Sequence, residues 1–120
     1  MRTGEYGEEI ASKYLKKKGY SIKERNFHSR YGEIDIIAEN DKYLLFVEVK
    51  TRSENAISTP QSAVTALKQE KIIKTAKLWL IKNRIEKQPR FDVIAITLSK
   101  SGSKVEEIVH LENAFGTYGF

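Results

Sequence analysis

Residues 32–50 read GEIDIIAENDKYLLFVEVK, two apolar, β-prone runs separated by Glu39-Asn40-Asp41-Lys42, which suits a tight reversal. Two short strands joined so closely pair as an antiparallel hairpin. With Asn40 and Asp41 as the reversal, the register pairs Ala38 with Tyr43, Ile37 with Leu44, Asp35 with Phe46 and Glu33 with Glu48. Paired residues point to one side of a sheet, so Glu33, Asp35 and Ile37 share a face with Leu44, Phe46, Glu48 and Lys50. Asp35 and Glu48 are then diagonal neighbours, about 7–8 Å apart between backbones and closer between side chains. A slip of one residue would send them to opposite faces.

The remaining elements follow from periodicity and punctuation. Residues 4–18 have Tyr6, Ile10, Ala11, Tyr14 and Leu15 on one side of a helix, with Gly7 in that face, Glu8 at its flank and Glu9, Ser12 and Lys16 opposite. Gly19 ends this helix, with Lys16, Lys17 and Lys18 at the negative end of its dipole. A strand follows over 20–27, and the hairpin strands cover 32–38 and 43–50. Residues 51–60 read as a polar loop. A second helix starts either at Thr59, with Pro60 at its first position, or at Thr65 as N-cap, and runs to Asn83. Ile72, Ile73, Ala76, Trp79 and Leu80 form its main stripe, and Leu67, Leu78 and Ile81 widen it to two apolar faces. Residues 90–96 form a buried strand and 104–111 another after a Ser-Gly-Ser turn. The strand-helix-strand order predicts a right-handed parallel crossover, hence a mixed α/β sheet flanked by helices in one domain over 1–120.

Composition narrows the chemistry. The chain has no cysteine and two histidines, His28 and His110, which excludes thiolate zinc sites and cysteine nucleophiles; any metal site must be built on oxygen, which favours magnesium or manganese. The charged start MRTGEYGEE does not resemble a signal peptide, and no apolar run approaches the ~20 residues of a membrane span, so a cytoplasmic protein without a membrane partner is expected. Lys and Arg number 21 against 16 acids, a net charge of +5 that favours polyanionic partners.

Half-buried carboxylates at Asp35 and Glu48 repel unless a cation neutralises them. Spacing alone leaves two readings, a salt-bridge ladder on a wet hairpin face or a site that grips one divalent cation. In the second, Lys50 either steers or deprotonates a water or stabilises developing phosphorane charge; a reference pKa near ~10.4 makes the electrostatic role the more economical. Arg30 and Arg52 bracket the hairpin end near Lys50 as phosphate contacts or solvated charges, with Lys68 a weaker candidate. Glu33 reads as a salt-bridge partner of Arg30 or Lys50 or as an extra ligand, Asp92 as the partner of Arg90 or Arg52. The histidines and Tyr6, Tyr14 and Trp79 read as structural.

Asp35 followed by Glu48-Val49-Lys50, after a helix bearing Glu8, resembles the Asp…Glu-x-Lys signature of the PD-(D/E)XK nuclease superfamily. The wider set is Arg30, Gly32-Glu33-Ile34-Asp35, Phe46-Val47-Glu48-Val49-Lys50-Thr51-Arg52, Ala63-Val64-Thr65 with Lys68, and Arg90-Phe91-Asp92-Val93. It resembles the YraN-like family of small bacterial proteins over nearly the whole chain. In place of the proline that often precedes the first acid stands Ile34, as in that family.

The resemblance implies a restriction-endonuclease-like fold related to Holliday junction resolvases. It further implies metal ligation by Asp35, Glu48 and the Val49 carbonyl, with Glu8 approaching through water and Lys50 as catalytic lysine. The implied activity is a Mg2+- or Mn2+-dependent endonuclease acting on branched or flapped DNA, with a homodimer among the arrangements it allows. A non-catalytic nucleic-acid-binding or adaptor domain and a purely structural protein are the alternatives.

Overall fold

A computed structural model describes residues 3–54 and 64–116. Its elements are α1 (Thr3–Lys17), β1 (Ser21–Ser29), β2 (Gly32–Glu39), β3 (Tyr43–Ser53), α2 (Ala66–Asn83), β4 (Gln88–Leu98) and β5 (Val105–Phe115). The strands form one sheet in chain order, β1-β2-β3-β4-β5. β3 and β4 are parallel and the other neighbours antiparallel, as the hairpin and the crossover require. The architecture is α/β, a mixed sheet with a helix on each face, consistent with a restriction-endonuclease-like fold.

Each helix is stopped by local chemistry. At the end of α1, the Tyr20 amide donates to the Leu15 carbonyl and the Gly19 amide to that of Lys16, with Gly19 at φ 95°. This paired closure needs a left-handed residue, which glycine supplies without a Cβ clash. α2 begins at the Thr65 N-cap, whose hydroxyl accepts from the Lys68 amide at 3.2 Å. The other expected start, Thr59 and Pro60, lies outside the described residues.

β3 is longer than its apolar run, because parallel pairing with β4 continues to Ser53↔Leu98 and takes Thr51, Arg52 and Ser53 out of the expected loop. β1, β4 and β5 likewise run past the expected bounds, to Ser29, Leu98 and Phe115.

Ile34, Ile37, Leu44, Phe46, Phe91, Val93 and Phe115 meet Ile72, Ala76 and Trp79 of α2 on one face of the sheet. Trp79, Phe46, Phe91 and Phe115 form an aromatic series with successive ring centroids 6.0, 5.5 and 5.0 Å apart. Ile36, Ala38, Leu45, Val47, Ile94 and Ile96 meet Ala11 and Leu15 of α1 on the other face.

Two expectations about helix faces are corrected. Leu67, Leu78 and Ile81 are 62%, 37% and 74% exposed, so α2 buries a single stripe: periodicity marks apolar residues but not whether a second layer exists to cover them. Ser12, expected opposite the core, is buried, its hydroxyl without a partner among the described residues. Among those residues no helix is long and apolar enough to cross a membrane.

Candidate functional site

The hairpin turns one residue later than expected. Oδ1 of Asn40 accepts from the amides of Lys42 and Tyr43, at 3.0 and 2.7 Å, and the Asn40 amide donates to the Tyr43 carbonyl. An asparagine that caps the turn in this way stands at its first position, leaving Asp41 and Lys42 at the tip. The observed pairs are Glu39↔Leu44, Ala38↔Leu45, Ile37↔Phe46 and Ile36↔Val47. Moving the turn by one residue moves each partner by two, so Phe46 stays on the face of Ile37. The same register carried one step further sets Asp35 opposite Glu48, rather than opposite Phe46 with Glu48 on the diagonal.

The β2–β3 ladder ends at Ile36↔Val47, however, because β2 rotates at Asp35. On β1, Glu24 reaches Trp79 on the α2 side and Arg25 reaches Glu9 on the α1 side, yet Phe27 packs on the α2 side again. Its partner Ile34 does the same, although Ile36 faces α1 and Ile37 faces α2. The interruption falls at Asn26, φ 54°, and at Asp35 across from it. The expectation that Glu33, Asp35 and Ile37 share one face therefore fails, because strict alternation does not survive this paired twist. Asp35 instead crosses to β3, its Oδ2 accepting from the Val49 amide at 2.8 Å.

Asp35 and Glu48 are 8% and 7% exposed. Burial first, and then the charge of Glu48, push the Asp35 carboxyl up to about 7, against the Val49 hydrogen bond. The Glu48 carboxylate is held by two ammonium groups, Lys68 Nζ at 2.6 Å and Lys50 Nζ at 3.5 Å from Oε1. Lys50 is pushed below its ordinary pKa by burial and by the adjacent Lys68, with Glu48 opposing. Burial opposes the charge of Lys68, but the carboxylates of Glu48 and Asp35 outweigh it and shift its pKa upward. The site is thus two carboxylates and two lysines under mutual electrostatic tension.

Glu8 approaches from the other face. Gly7 packs against the Thr51 side chain of β3, leaving no room for a Cβ, and this close approach brings Glu8 near enough for its charge to raise the Asp35 pKa. Glu8 Oε1 lies 3.9 Å from Nη2 of Arg25, which binds Glu9 more tightly at 2.9 Å.

The structure gathers Asp35, Glu48, Lys50, Val49, Glu8 and Lys68 but spreads the arginines. Arg30 is exposed in the β1–β2 turn, its guanidinium 5.0 Å from the Tyr31 ring centroid. Arg52 donates from Nε to Thr97 Oγ1 at 3.4 Å and lines a separate groove with Ser53 and Ser99. Glu33 lies across from His28 on β1 and pairs with it at 3.1 Å, not with Arg30 or Lys50, and it does not face Glu48 in the ladder. Asp92 takes two hydrogen bonds from Arg90, both at 2.9 Å, one from the Asn113 amide at 3.0 Å and a 2.7 Å contact from His110 Nε2. His110 Nδ1 meets the Tyr14 hydroxyl at 3.1 Å, so this cluster ties α1, β4 and β5 together.

Lys71 and Lys74, not singled out in the sequence, continue the line begun by Lys68 at three-residue spacing, the one signal that marks them. Among the described residues no three Asp, Glu or His side chains are grouped closely enough for an all-protein metal cage. Two adjacent oxygen donors, one with its proton affinity raised by its neighbour, nevertheless fit a cation that keeps most of its waters, as magnesium does.

Residues 7–96 match the family described as Uncharacterised protein family UPF0102. A UPF0102 protein of Trichlorobacter lovleyi is 51% identical over 114 residues, covering 93% of this chain and 88% of the relative. One of Geobacter metallireducens is 48% identical over 113 residues, covering 93% and 90%. A third, of Pelobacter propionicus, is 48% identical over 116 residues, covering 94% and 81%. On that match, which spans three quarters of the chain and both strands of the site, the chain belongs to the UPF0102 family.

Proposed function

We propose that this chain is a Mg2+- or Mn2+-dependent endonuclease of the PD-(D/E)XK type that hydrolyses phosphodiester bonds in DNA, selecting branched or flapped structures. The observation that carries the reading is the pairing of buried Asp35 and Glu48 across the gap between β2 and β3, with Lys50 and Lys68 on Glu48. Asp35, Glu48 and the Val49 carbonyl would hold the cation, with Glu8 reaching it through water. When bound, it supplies an acidified water and neutralises charge on the scissile phosphate.

The rest is done by the chain. The Val49 amide orients the Asp35 carboxylate by donating to one oxygen. Lys50, partly desolvated, offers a positive charge where a phosphorane oxyanion develops. Its depressed pKa also brings proton transfer closer to neutral pH, but charge stabilisation needs no further shift.

Incubating the protein with branched, flapped, single-stranded and duplex DNAs and manganese tests this reading. Cleavage that disappears in Glu48→Ala supports it; absence of cleavage on every substrate, or cleavage unchanged in Glu48→Ala, overturns it.

A second reading, a non-catalytic DNA-binding or adaptor domain that retains the fold, is favoured by one observation: the chain supplies its own countercharge to Glu48, the Lys68 ammonium at 2.6 Å. It predicts salt-dependent DNA affinity that is unchanged by chelation of divalent cations, together with no cleavage under any metal.

A further inference from the structure

Where β2 leaves β3, a cavity of about 360 Å3 opens between the sheet and the first two turns of α2. Gly32, Glu33 and Glu48 form its floor, and Leu67, Lys68, Lys71 and Ile72 its wall. The volume lies at the small end of ligand sites, the size of one monomer unit rather than of a duplex. Leu67 is 62% exposed and gives this wall an apolar surface beside two lysines.

A second feature adjoins it. The Tyr31 ring holds two cations, the Arg30 guanidinium at 5.0 Å and the Lys74 ammonium at 5.4 Å from its centroid. Lys74 also pairs with Glu70 at 3.4 Å, and the Arg30 Nη2 donates to the Tyr31 hydroxyl at 2.9 Å. This turn is fixed to α2 by Ser29 Oγ and Thr75 Oγ1, 2.8 Å apart, and by the Lys74 ammonium over the Tyr31 ring. Arg30, Lys74, Lys71 and Lys68 therefore form a run of positive charge from the turn to Glu48. Cations gathered around one ring repel each other, and an anion spanning them relieves that repulsion.

We propose that this cavity is a subsite for one unpaired nucleotide of a nucleic-acid strand, its base against Leu67 and Ile72 and its phosphate on Lys71, the strand continuing over Lys74 and Arg30. The inference rests on the nucleic-acid reading of the neighbouring carboxylate site and gives that site a substrate class: a strand with an unstacked base next to the scissile bond. A continuous duplex keeps its bases stacked and presents none to a pocket of this size, which discriminates between the two forms.

The test is fluorescence titration of a short single strand carrying one 2-aminopurine, against the same sequence as a blunt duplex, in EDTA and over a series of KCl concentrations. The expected result is single-strand affinity about tenfold above duplex, with 2-aminopurine emission changing on binding. Leu67→Asp should remove that preference without lowering the melting temperature, since the side chain is mostly solvated. Lys71→Gln with Lys74→Gln should lower the slope of log affinity against log salt by about 0.7 for each lysine. Equal affinity for both DNAs, or a preference that survives Leu67→Asp, overturns the inference. Cleavage plays no part in the readout, so a protein that binds in this way but never cuts overturns the endonuclease reading alone. One that cuts but binds without regard to Leu67 and Lys71 overturns the subsite alone.

Discussion

The Lys68 ammonium lies 2.6 Å from Oε1 of Glu48, closer than Lys50 on the same strand as the acid. A divalent cation seated on Glu48 has to compete with this ion pair. Replacing Lys68 with Ala removes the competitor and leaves a buried carboxylate short of positive charge. The rise in melting temperature on adding manganese should therefore be larger in Lys68→Ala than in the parent, with the metal-free variant the less stable of the two. Differential scanning fluorimetry with and without manganese measures both; an identical metal-induced shift would remove Lys68 from the cation's site.

Asp35 gives stability a pH dependence opposite to that of an ordinary salt-bridged aspartate. Its pKa is about 7 in the folded chain and ~3.9 when unfolded, so between these values the native state holds a proton the unfolded state lacks. Stability falls as pH rises from about 4 to about 7 and stays at the lower level above, a loss on the order of a few kcal/mol. Asp35→Asn keeps an acceptor for the Val49 amide and removes the titration, so urea midpoints above pH 7 should be higher in the variant and flatter with pH. Manganese should raise the parent's midpoint above pH 7 and leave that of Asp35→Asn nearly unmoved.

Gly7 tolerates no side chain where it stands on Thr51. Gly7→Ala should cost about 1–3 kcal/mol through overpacking, and Thr51→Ala, which removes the hydroxyl in the way, should recover part of that loss in the double variant. Denaturant unfolding of the four proteins measures the coupling, and strict additivity would contradict it.

Asp92 is fully buried among Arg90, His110 and the Asn113 amide. Burial opposes its charge, but these partners outweigh it and hold its pKa below the ordinary value, so its contribution is present above about pH 4 and is lost as pH falls through the folded value. Asp92→Ala removes the buried acceptor of Arg90 Nε and the carboxylate on His110 Nε2, leaving Arg90 only Tyr20 and the exposed Glu112, and should cost about 3–5 kcal/mol by urea unfolding.

The hairpin and the crossover were legible because they depend on short-range patterns, turn residues and the order of strands and helix; Asp35 comes near Glu48 although the alternation that predicts it fails at that residue. The turn itself was misplaced by one residue, since Asn40 suits both the first and the second position and only its side-chain hydrogen bonds decide. The twist at Asn26 and Asp35 was not legible, because alternation is assumed whenever a strand is read. In the sequence Lys68 reads as a phosphate contact rather than a partner of Glu48, because nothing local brings the first turn of α2 onto β3. Leu67 reads as core for the related reason that hydropathy does not reveal where the layers end.

Beyond Ile36 the strand β2 has no ladder to β3, while the turn that begins it is bound to α2 through Ser29 and Tyr31. The two banks of the cleft consequently hang on different strands of the one sheet: Glu48 and Lys50 are paired to β4, Gly32 and Glu33 to β1. No backbone pairing to β3 spans this gap, so its width follows the bend of β2 at Asp35 and the hold of the β1–β2 turn on α2.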